Sequence, residues 1–318
     1  MNLLLSTACN RRCVYCFAAD KIATNLPAEK GFMPLNNVRK VINFLQKSKV
    51  NEVGIIGGEP TLHPDFIPAI KLILSAGFNI RLFTNGIIFP KYIDFLSSLE
   101  NKRCEILINI HPSRFYSPKE KRNLNRALFY LNQKVTLGFT IFEKYFSAGF
   151  MLPVIDKYRL KRSIRISQAH KLLGFKNIYL PLSQRKFVAR RIVDFAQDCD
   201  KKDVTLIFDC GFTLCSFSAQ GLGRLRLYGA ITNMNCNPVI DVGPDLTVWR
   251  CFATSKIWNK KLSDFDTLTQ IYKYYNEKSS KFVKLGNNGK CLNCKYMRRL
   301  QCSGGCLAAT LAGLDLNN

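Results

Sequence analysis

Apolar and polar positions along the first two thirds of the chain follow two alternating patterns. Short apolar runs, typical of buried strands, are separated by stretches in which apolar residues recur every three or four positions, as in amphipathic helices. Repeated strand–helix alternation predicts parallel strands wound in βα units. The six predicted strands are Asn2–Ser6, Glu52–Ile56, Asn79–Phe83, Cys104–Ile110, Val135–Ile141 and Ser163–Ser167.

Helix boundaries are indicated by capping residues, glycine and proline. We expect Asn36 to cap the first helix. The second should begin near Pro64 and end at Gly77, and the last should be capped near Ser183. The segment Ser117–Glu120 predicts a capping box with proline in the first turn. The expected core-facing residues are Val38, Val41, Ile42 and Leu45; Phe66, Ile70 and Ile73; Ile93, Leu96 and Leu99; Leu124, Ala127, Leu128 and Leu131; and Val188, Ile192, Phe195 and Cys199.

Three cysteines follow the first strand at the spacing Cys-x3-Cys-x2-Cys. A loop leaving a strand at this spacing can fold Cys9, Cys13 and Cys16 onto one iron–sulfur cube. Such a cube has four irons to ligate, so one iron would be open to an exogenous ligand. Zinc sites prefer four ligands with paired spacings and thioredoxin-like motifs use two cysteines, so neither explains the third thiol.

The motif Cys-x3-Cys-x-aromatic-Cys, with Tyr15 as the aromatic residue, resembles that of the radical S-adenosylmethionine (SAM) enzymes. Gly57-Gly58-Glu59-Pro60, after the second strand, resembles the segment by which that family binds the methionine part of SAM. The resemblance implies an α/β fold, a partial (β/α)6 TIM-like barrel. It also implies that SAM chelates the open iron, and that one electron cleaves it to methionine and a 5′-deoxyadenosyl radical, which abstracts hydrogen from a substrate.

Ligands of such folds bind at the carboxyl ends of the strands. There, Gly58 would supply a backbone contact to SAM, Glu59 would shape the region around it, and His170 would be a candidate for proton transfer. The full set of candidate SAM-binding residues is Tyr15, Gly57, Gly58, Glu59, Asn85, Asn109, His111, Arg165 and Ser167.

The chain changes character from Asp203, where a further strand, Val204–Phe208, precedes eight cysteines. Asp241–Cys251 reads as a hairpin with a Gly-Pro-Asp turn. We therefore expect a barrel at 1–202 and a small cysteine-rich domain at 203–318. The eight cysteines are Cys210, Cys215, Cys236, Cys251, Cys291, Cys294, Cys302 and Cys306.

The cysteine-rich end resembles the SPASM domain of peptide-modifying radical SAM enzymes, which carries auxiliary [4Fe–4S] clusters. By that resemblance, one cluster would be bound by Cys236, Cys251 and Cys306, and a second by Cys291, Cys294 and Cys302. The last cysteine of the family pattern, downstream of Cys306, is missing. Cys210 or Cys215 would supply a missing ligand, and the sequence leaves open which of them serves which cluster. Two structural zinc sites are the alternative.

Composition adds expectations about surroundings and partners. Thirteen cysteines without a secretory signal favour metal ligation in a reducing compartment, so we expect a cytoplasmic protein. No apolar run reaches the ~18 residues of a membrane span. Cys104 and Cys199 read as core thiols.

The net charge of +25 predicts a basic surface that attracts an acidic peptide or a nucleic acid. Its clusters are Lys157–Arg162; Arg185, Lys186, Arg190 and Arg191; and Arg298–Arg299.

The sequence therefore predicts a radical SAM enzyme that modifies a peptide or protein, such as a ribosomally made precursor, by crosslinking, thioether formation, epimerisation or side-chain oxidation. The expected electron donor is a flavodoxin or ferredoxin. Because the motif begins at Cys9, substrate recognition should come from the basic surface, the carboxy-terminal domain or a separate leader-binding protein. The alternatives are an RNA-modifying radical SAM enzyme and a non-catalytic iron–sulfur or zinc protein that binds nucleic acid.

Overall fold

The computed structural model describes residues 1–18, 31–174 and 176–314. The strands in these ranges are β1 (Asn2–Ser6), β2 (Glu52–Gly57), β3 (Asn79–Thr84), β4 (Cys104–Asn109), β5 (Val135–Ile141), β6 (Ser163–Gln168), β7 (Thr205–Phe208), β8 (Asp241–Val242), β9 (Thr247–Trp249) and β10 (Lys260–Lys261). The α-helices are α1 (Leu35–Gln46), α2 (Phe66–Ser75), α3 (Pro90–Ser98), α4 (Pro118–Tyr130), α5 (Met151–Tyr158), α6 (Arg185–Asp200), α7 (Ala219–Leu227), α8 (Leu268–Leu285), α9 (Lys295–Arg298) and α10 (Leu307–Gly313).

The ten strands form one sheet in the order β10-β9-β8-β1-β2-β3-β4-β5-β6-β7. Strands β1 to β7 are parallel and lie in chain order, with one of the helices α1 to α6 between each successive pair. This confirms the predicted α/β class with the parallel sheet of a partial barrel. Strand β7 comes after residue 202, where the boundary was expected. It lies at the edge of the sheet and pairs parallel with β6.

The predicted strands agree with the structure to within a residue at each end, but some helix boundaries differ. The capping box of α4 is confirmed, since Ser117 Oγ accepts from the Glu120 N–H and the Ser117 N–H donates to Glu120 Oε2. The expected cap at Asn36 was wrong, because α1 already begins at Leu35 after Pro34. Helix α5 was not predicted. It carries a proline in its first turn, where the missing N–H has no intrahelical partner to lose.

The main core lies between the helices and one face of the sheet, and it contains the alternate apolar residues of β1 to β7. The other face carries many polar side chains together with apolar ones such as Leu4 and Leu107. At the amino ends of β2 to β4, Arg81 pairs with Glu52 and Glu105 at 3.1 Å each, and Lys161 pairs with Glu105 at 3.0 Å. The charged row therefore lies at the opposite end of the strands from the cysteine loop.

The carboxy-terminal region extends the sheet on the β1 side. Strand β8 pairs parallel with β1 and antiparallel with β9, which confirms the predicted hairpin. A small second core joins this hairpin to the amino terminus through Leu4, Ala18, Trp249 and Phe252, with Cys16 packed against it. The cysteine loop and the segment after Cys251 are therefore in contact. No α-helix in the described ranges combines the length and apolar character needed to cross a bilayer.

Candidate functional site

The loop that follows β1 brings three thiols together. The Cys16 N–H donates to the Cys13 carbonyl at 3.0 Å, and the Arg11 N–H donates to Cys9 Sγ at 3.4 Å. The pKa of the Cys9 thiol is raised to about 12, first by burial and in part by the nearby charges of Cys13 and Cys16. Because thiolates so close together repel one another, the ionised set needs a bound cation. Residues 19–30, which come next in the chain, are outside the described residues.

The end of β2 holds this loop by backbone contact. The Gly58 N–H donates to the Ser6 carbonyl and the Glu59 N–H to the Ala8 carbonyl, both at 2.8 Å. A Cβ on Gly58 would lie 2.4 Å from the Ala8 carbonyl oxygen, and one on Gly57 would lie 2.6 Å from that of Ser6. Both glycines are therefore required by the close approach of the loop. The Gly58 amide is already used, so a contact with SAM would have to use its carbonyl oxygen.

Glu59 is fully buried beneath the loop. Its carboxylate accepts hydrogen bonds from Thr61 Oγ1 at 2.7 Å, from Thr84 Oγ1 at 2.8 Å and from the Asn85 N–H at 2.9 Å. Burial raises the pKa of the Glu59 carboxyl group, and these hydrogen bonds oppose that rise. Glu59 thus ties the end of β2 to the end of β3, as expected of a residue that shapes the site.

Asn85 connects β3 to the cysteine loop. Its side-chain nitrogen donates to Asn10 Oδ1 at 2.7 Å and lies 4.0 Å from Cys9 Sγ. Asn10 in turn donates to the Ile87 carbonyl at 3.0 Å. The predicted residues Cys9, Gly58, Glu59 and Asn85 are therefore brought together at the carboxyl ends of β1 to β3.

Tyr15, in the cysteine loop, and His111, just after β4, form one cluster. The Tyr15 hydroxyl is hydrogen-bonded to His111 Nε2, and the Tyr15 ring stacks on Phe142 with centroids 4.8 Å apart. The His111 backbone N–H donates to the Tyr116 hydroxyl at 3.0 Å. Burial and the Arg11 cation lower the pKa of His111 to about 4, so its imidazole is neutral at pH 7.

The remaining candidates lie on β4 to β6, and each has a protein partner. Arg165 pairs with Asp209 at 2.7 Å, Ser167 Oγ is hydrogen-bonded to Thr140 Oγ1 at 2.9 Å, and Asn109 lies against Gly138. Asp209 was missed by sequence reasoning. Its position directly after β7, at the carboxyl end of a parallel strand, was the available signal.

One set of carboxy-terminal thiols contains Cys210, Cys236, Cys251 and Cys306. The pKa of Cys306 is raised to about 12 by desolvation and then by Cys236 and Cys251. Part of Cys210 reaches the surface, but its pKa is raised by desolvation of the thiol, by Asp209 and by the same three cysteines. The Cys236 N–H also donates to Ser303 Oγ at 2.6 Å, which fixes that segment beside the loop leading to Cys306.

A second set contains Cys215, Cys291, Cys294 and Cys302. The pKa of Cys291 is raised by desolvation and then by Cys215, Cys302 and Cys294. The Cys294 N–H donates to the Cys291 carbonyl at 3.0 Å, and the Gly304 N–H donates to Cys302 Sγ at 3.4 Å. The structure therefore places Cys210 beside the first set and Cys215 beside the second, a choice that the sequence left open.

The donor chemistry of these groups fits iron–sulfur clusters. Each carboxy-terminal set offers the four soft thiolate ligands that a cubane requires, and the loop after β1 offers three, which would leave one iron open. Within the described ranges, no three His, Cys, Asp or Glu side chains are placed to share a single metal ion. Cys104 and Cys199 lie apart in the main core, where burial raises the pKa of each thiol to about 12. The prediction that they are core thiols is confirmed.

The predicted basic surface is only partly at the surface. Arg185 is 6% exposed, so its assignment to a surface cluster was wrong. Lys161 pairs with Glu105, and Arg191 donates to the Phe146 carbonyl at 2.7 Å. The ion pair with Glu105 offsets the charge of Lys161, whereas the neutral Phe146 carbonyl leaves the charge of Arg191 in place and directs its guanidinium toward the protein.

Comparison with known proteins identifies the class of the amino-terminal part. Residues 3–123 match the Radical SAM superfamily. The matched region contains the cysteine loop, the Gly-Gly-Glu segment, Asn85, Asn109 and His111. The chain therefore carries a radical SAM domain, a class whose members use a [4Fe–4S] cluster and SAM.

Relatives and solved structures extend the comparison. The GTP 3′,8-cyclase of Alkaliphilus oremlandii is 27% identical over 143 residues, which is 44% of this chain and 44% of the cyclase. The chain thus spans less than half the length of such curated relatives. Streptococcus suis SuiB bound to precursor peptide SuiA is 12% identical with a TM-score of 0.64, covering 97% of this chain and 74% of SuiB. The anSMEcpe structure with bound AdoMet and Kp18Cys peptide is 17% identical with a TM-score of 0.65, covering 96% and 88%. The two structures share the fold of nearly the whole chain.

Proposed function

We propose that this protein is a radical SAM enzyme that abstracts hydrogen from a peptide or protein substrate, with a ribosomally made precursor peptide as the favoured class. The observation that carries this proposal is the three-thiol loop held against Gly58, Glu59 and Asn85 at the carboxyl ends of parallel strands. A single-electron donor such as a flavodoxin or ferredoxin would supply the reductant.

The roles of the residues follow from their contacts. Cys9, Cys13 and Cys16 would hold a [4Fe–4S] cluster, which when bound supplies the electron that cleaves SAM. Glu59 and Asn85 hold the loop in place through hydrogen bonds, so the thiols are positioned before the cluster arrives. His111, fixed by Tyr15, is neutral, so the positive charge at that side of the site comes from Arg11, which pairs with Glu120 at 3.5 Å. Arg165, at the opposite side, would meet the SAM carboxylate only by sharing its charge with Asp209.

A peptide substrate is supported by the two structural neighbours, whose structures contain precursor peptide SuiA and Kp18Cys peptide. Because those likenesses cover almost the whole chain, they include the cysteine-rich region. The nucleotide chemistry of the GTP 3′,8-cyclases comes from alignments over less than half of the chain. We therefore favour a peptide over a nucleotide or RNA substrate.

The test uses anaerobically reconstituted full chain with dithionite and SAM. We expect 5′-deoxyadenosine to form, and we expect a synthetic acidic peptide to bind more tightly than bulk tRNA at equal salt. The affinity for the peptide and for tRNA should fall as salt is raised, because the surface charge is positive. Tighter binding of tRNA that persists at high salt would favour RNA modification. If reduction yields no 5′-deoxyadenosine, the protein is not a radical SAM enzyme.

We also propose that each carboxy-terminal set of four thiols holds its own [4Fe–4S] cluster, with Cys210 completing the first and Cys215 the second. Reconstituted protein should then contain about twelve irons per chain, in three cubes of four. Cys210→Ala should alter the electron paramagnetic resonance (EPR) signal of one cluster and Cys215→Ala that of the other, whereas Cys199→Ala should alter neither. If both substitutions change the same signal, the assignment is wrong. About four irons with two zincs would replace both clusters by zinc sites.

A further inference from the structure

Two arginines are buried in the cysteine-rich region. Arg185 is 6% exposed and Arg250 is 2% exposed. Among the described residues, neither forms an ion pair with a carboxylate. Because a guanidinium keeps its charge at any accessible pH, burying it without a counter-ion is strongly unfavourable. Each arginine therefore needs an anion, and among the described residues no carboxylate supplies it.

Arg250 is directed at the first thiol set. Its Nη1 donates to Cys236 Sγ at 3.5 Å, and its Nη2 donates to the Cys236 carbonyl. It also precedes Cys251 in the chain. Asp241, a buried carboxylate whose charge acts on that thiol, accepts a hydrogen bond from Asn2 Nδ2 at 2.8 Å instead. The sulfur of Cys236 is thus the acceptor that Arg250 touches, and it carries negative charge when it ligates iron.

Arg185 lies beside the loop that joins Cys302 of the second set to Cys306 of the first. One of its terminal nitrogens is 3.3 Å from His170 Nδ1. With the Asn287 amide oriented to satisfy both neighbours, its oxygen accepts from Arg185 Nη1 at 2.8 Å and its nitrogen donates to the Gly304 carbonyl at 2.7 Å. These contacts hold the guanidinium against the glycine-rich loop between Cys302 and Cys306. The thiols that act on its charge are Cys306 of the first set and Cys215 and Cys291 of the second.

We propose that Arg185 is a counter-ion shared by the two carboxy-terminal clusters, and that Arg250 is a counter-ion of the first cluster alone. The inference rests on the proposed clusters and goes beyond them by assigning what sets their potentials. A cube with four thiolates carries a net charge of about −2, which becomes about −3 when one electron is added. A fixed cation in a desolvated site favours the added electron. Arg185 therefore raises the reduction potentials of both clusters together, which brings them into range of the same electron donor.

The experiment is a dithionite titration of the reconstituted full chain, followed by EPR, for wild type, Arg185→Met, Arg185→Lys, Arg250→Met and Arg191→Met. The signal of the Cys9, Cys13 and Cys16 cluster is recognised by its change on adding SAM. Cys210→Ala and Cys215→Ala identify the other two. Arg191 is the matched control, since it lies on the same helix and binds the Phe146 carbonyl.

In Arg185→Met we expect the ratio of reduced to oxidised cluster at a fixed potential to fall about tenfold for both carboxy-terminal signals, which is a shift of about 59 mV for a one-electron couple. Arg250→Met should shift the first signal alone. Arg191→Met should shift none, and Arg185→Lys should retain most of the wild-type potential. Loss of carboxy-terminal iron in Arg185→Met that lysine restores would also support the charge as the cause.

Several results would overturn the inference. Unchanged potentials in Arg185→Met, an equal shift in Arg191→Met, or loss of iron from the lysine and methionine variants alike would each show that the charge of Arg185 does not tune the clusters. In all three cases wild-type protein with about twelve irons would leave the proposed function intact. A wild-type protein with about four irons would instead remove the clusters themselves, and the inference with them.

Discussion

Replacing Cys13 with alanine should abolish SAM cleavage by the reconstituted protein, with 5′-deoxyadenosine falling to the level of a cluster-free control. Cys13 is the central thiol of the loop after β1, and its carbonyl accepts the Cys16 N–H that shapes the loop. The loop offers only three ligands, so the loss of one leaves a cube held by two. The measurement is 5′-deoxyadenosine by chromatography after reduction with dithionite in the presence of SAM.

The matched control is Cys104→Ala. Cys104 begins β4, is fully buried in the main core, and lies at the amino end of its strand, away from the loop. Its removal should lower the free energy of unfolding by about 1–2 kcal/mol through the small cavity left behind, and it should leave SAM cleavage intact. A Cys13→Ala protein that still yields 5′-deoxyadenosine at the wild-type rate would exclude this loop as the catalytic centre. A Cys104→Ala protein that is inactive but folded would mean that a ligand had been assigned wrongly.

Much of the fold could be predicted because its signals are local. The strand runs are short and apolar, and the Ser117–Glu120 capping box is contained in four adjacent residues. The three cysteines of the loop are likewise close in sequence, so their spacing alone indicates their chemistry. Helix α5 had no comparable signal, because its proline and its short length resemble a loop.

The parts that could not be predicted depend on contacts between distant segments. Arg185 looks like a member of a charged surface run, and only the packing of α6 against the loop before Cys306 shows that it is buried. The pairing of Cys210 and Cys215 with different thiol sets is a property of the same packing. Arg165 was expected to be one of the residues that bind SAM, and its pairing with Asp209 joins β6 to the residue after β7. Long-range electrostatic partners of this kind leave no periodic pattern in the sequence.

The glycines after β2 have a structural role in addition to the expected contact with SAM. The sequence suggests that Gly58 contacts SAM through its backbone. In the structure its missing side chain is equally important, since a Cβ would lie 2.8 Å from the Ala8 carbonyl carbon and 2.9 Å from the Cys9 Cβ. These atoms belong to the loop that carries the thiols. The glycine therefore sets the distance between the end of β2 and the cluster ligands.

Gly58→Ala should consequently push the cysteine loop away from β2 and remove the amino-terminal cluster, while the other clusters remain. The contacting atoms are backbone and a Cβ, which cannot rotate aside, so the overpacking should lower the free energy of unfolding by about 1–3 kcal/mol. We expect iron to fall from about twelve to about eight per chain and 5′-deoxyadenosine formation to be lost. Gly149→Ala is the control, because a Cβ at Gly149 meets no atom within 4 Å, and its iron content and activity should be those of wild type. If Gly58→Ala keeps its full iron content and loses only its affinity for SAM, then Gly58 acts through contact with the ligand and the loop tolerates the methyl group.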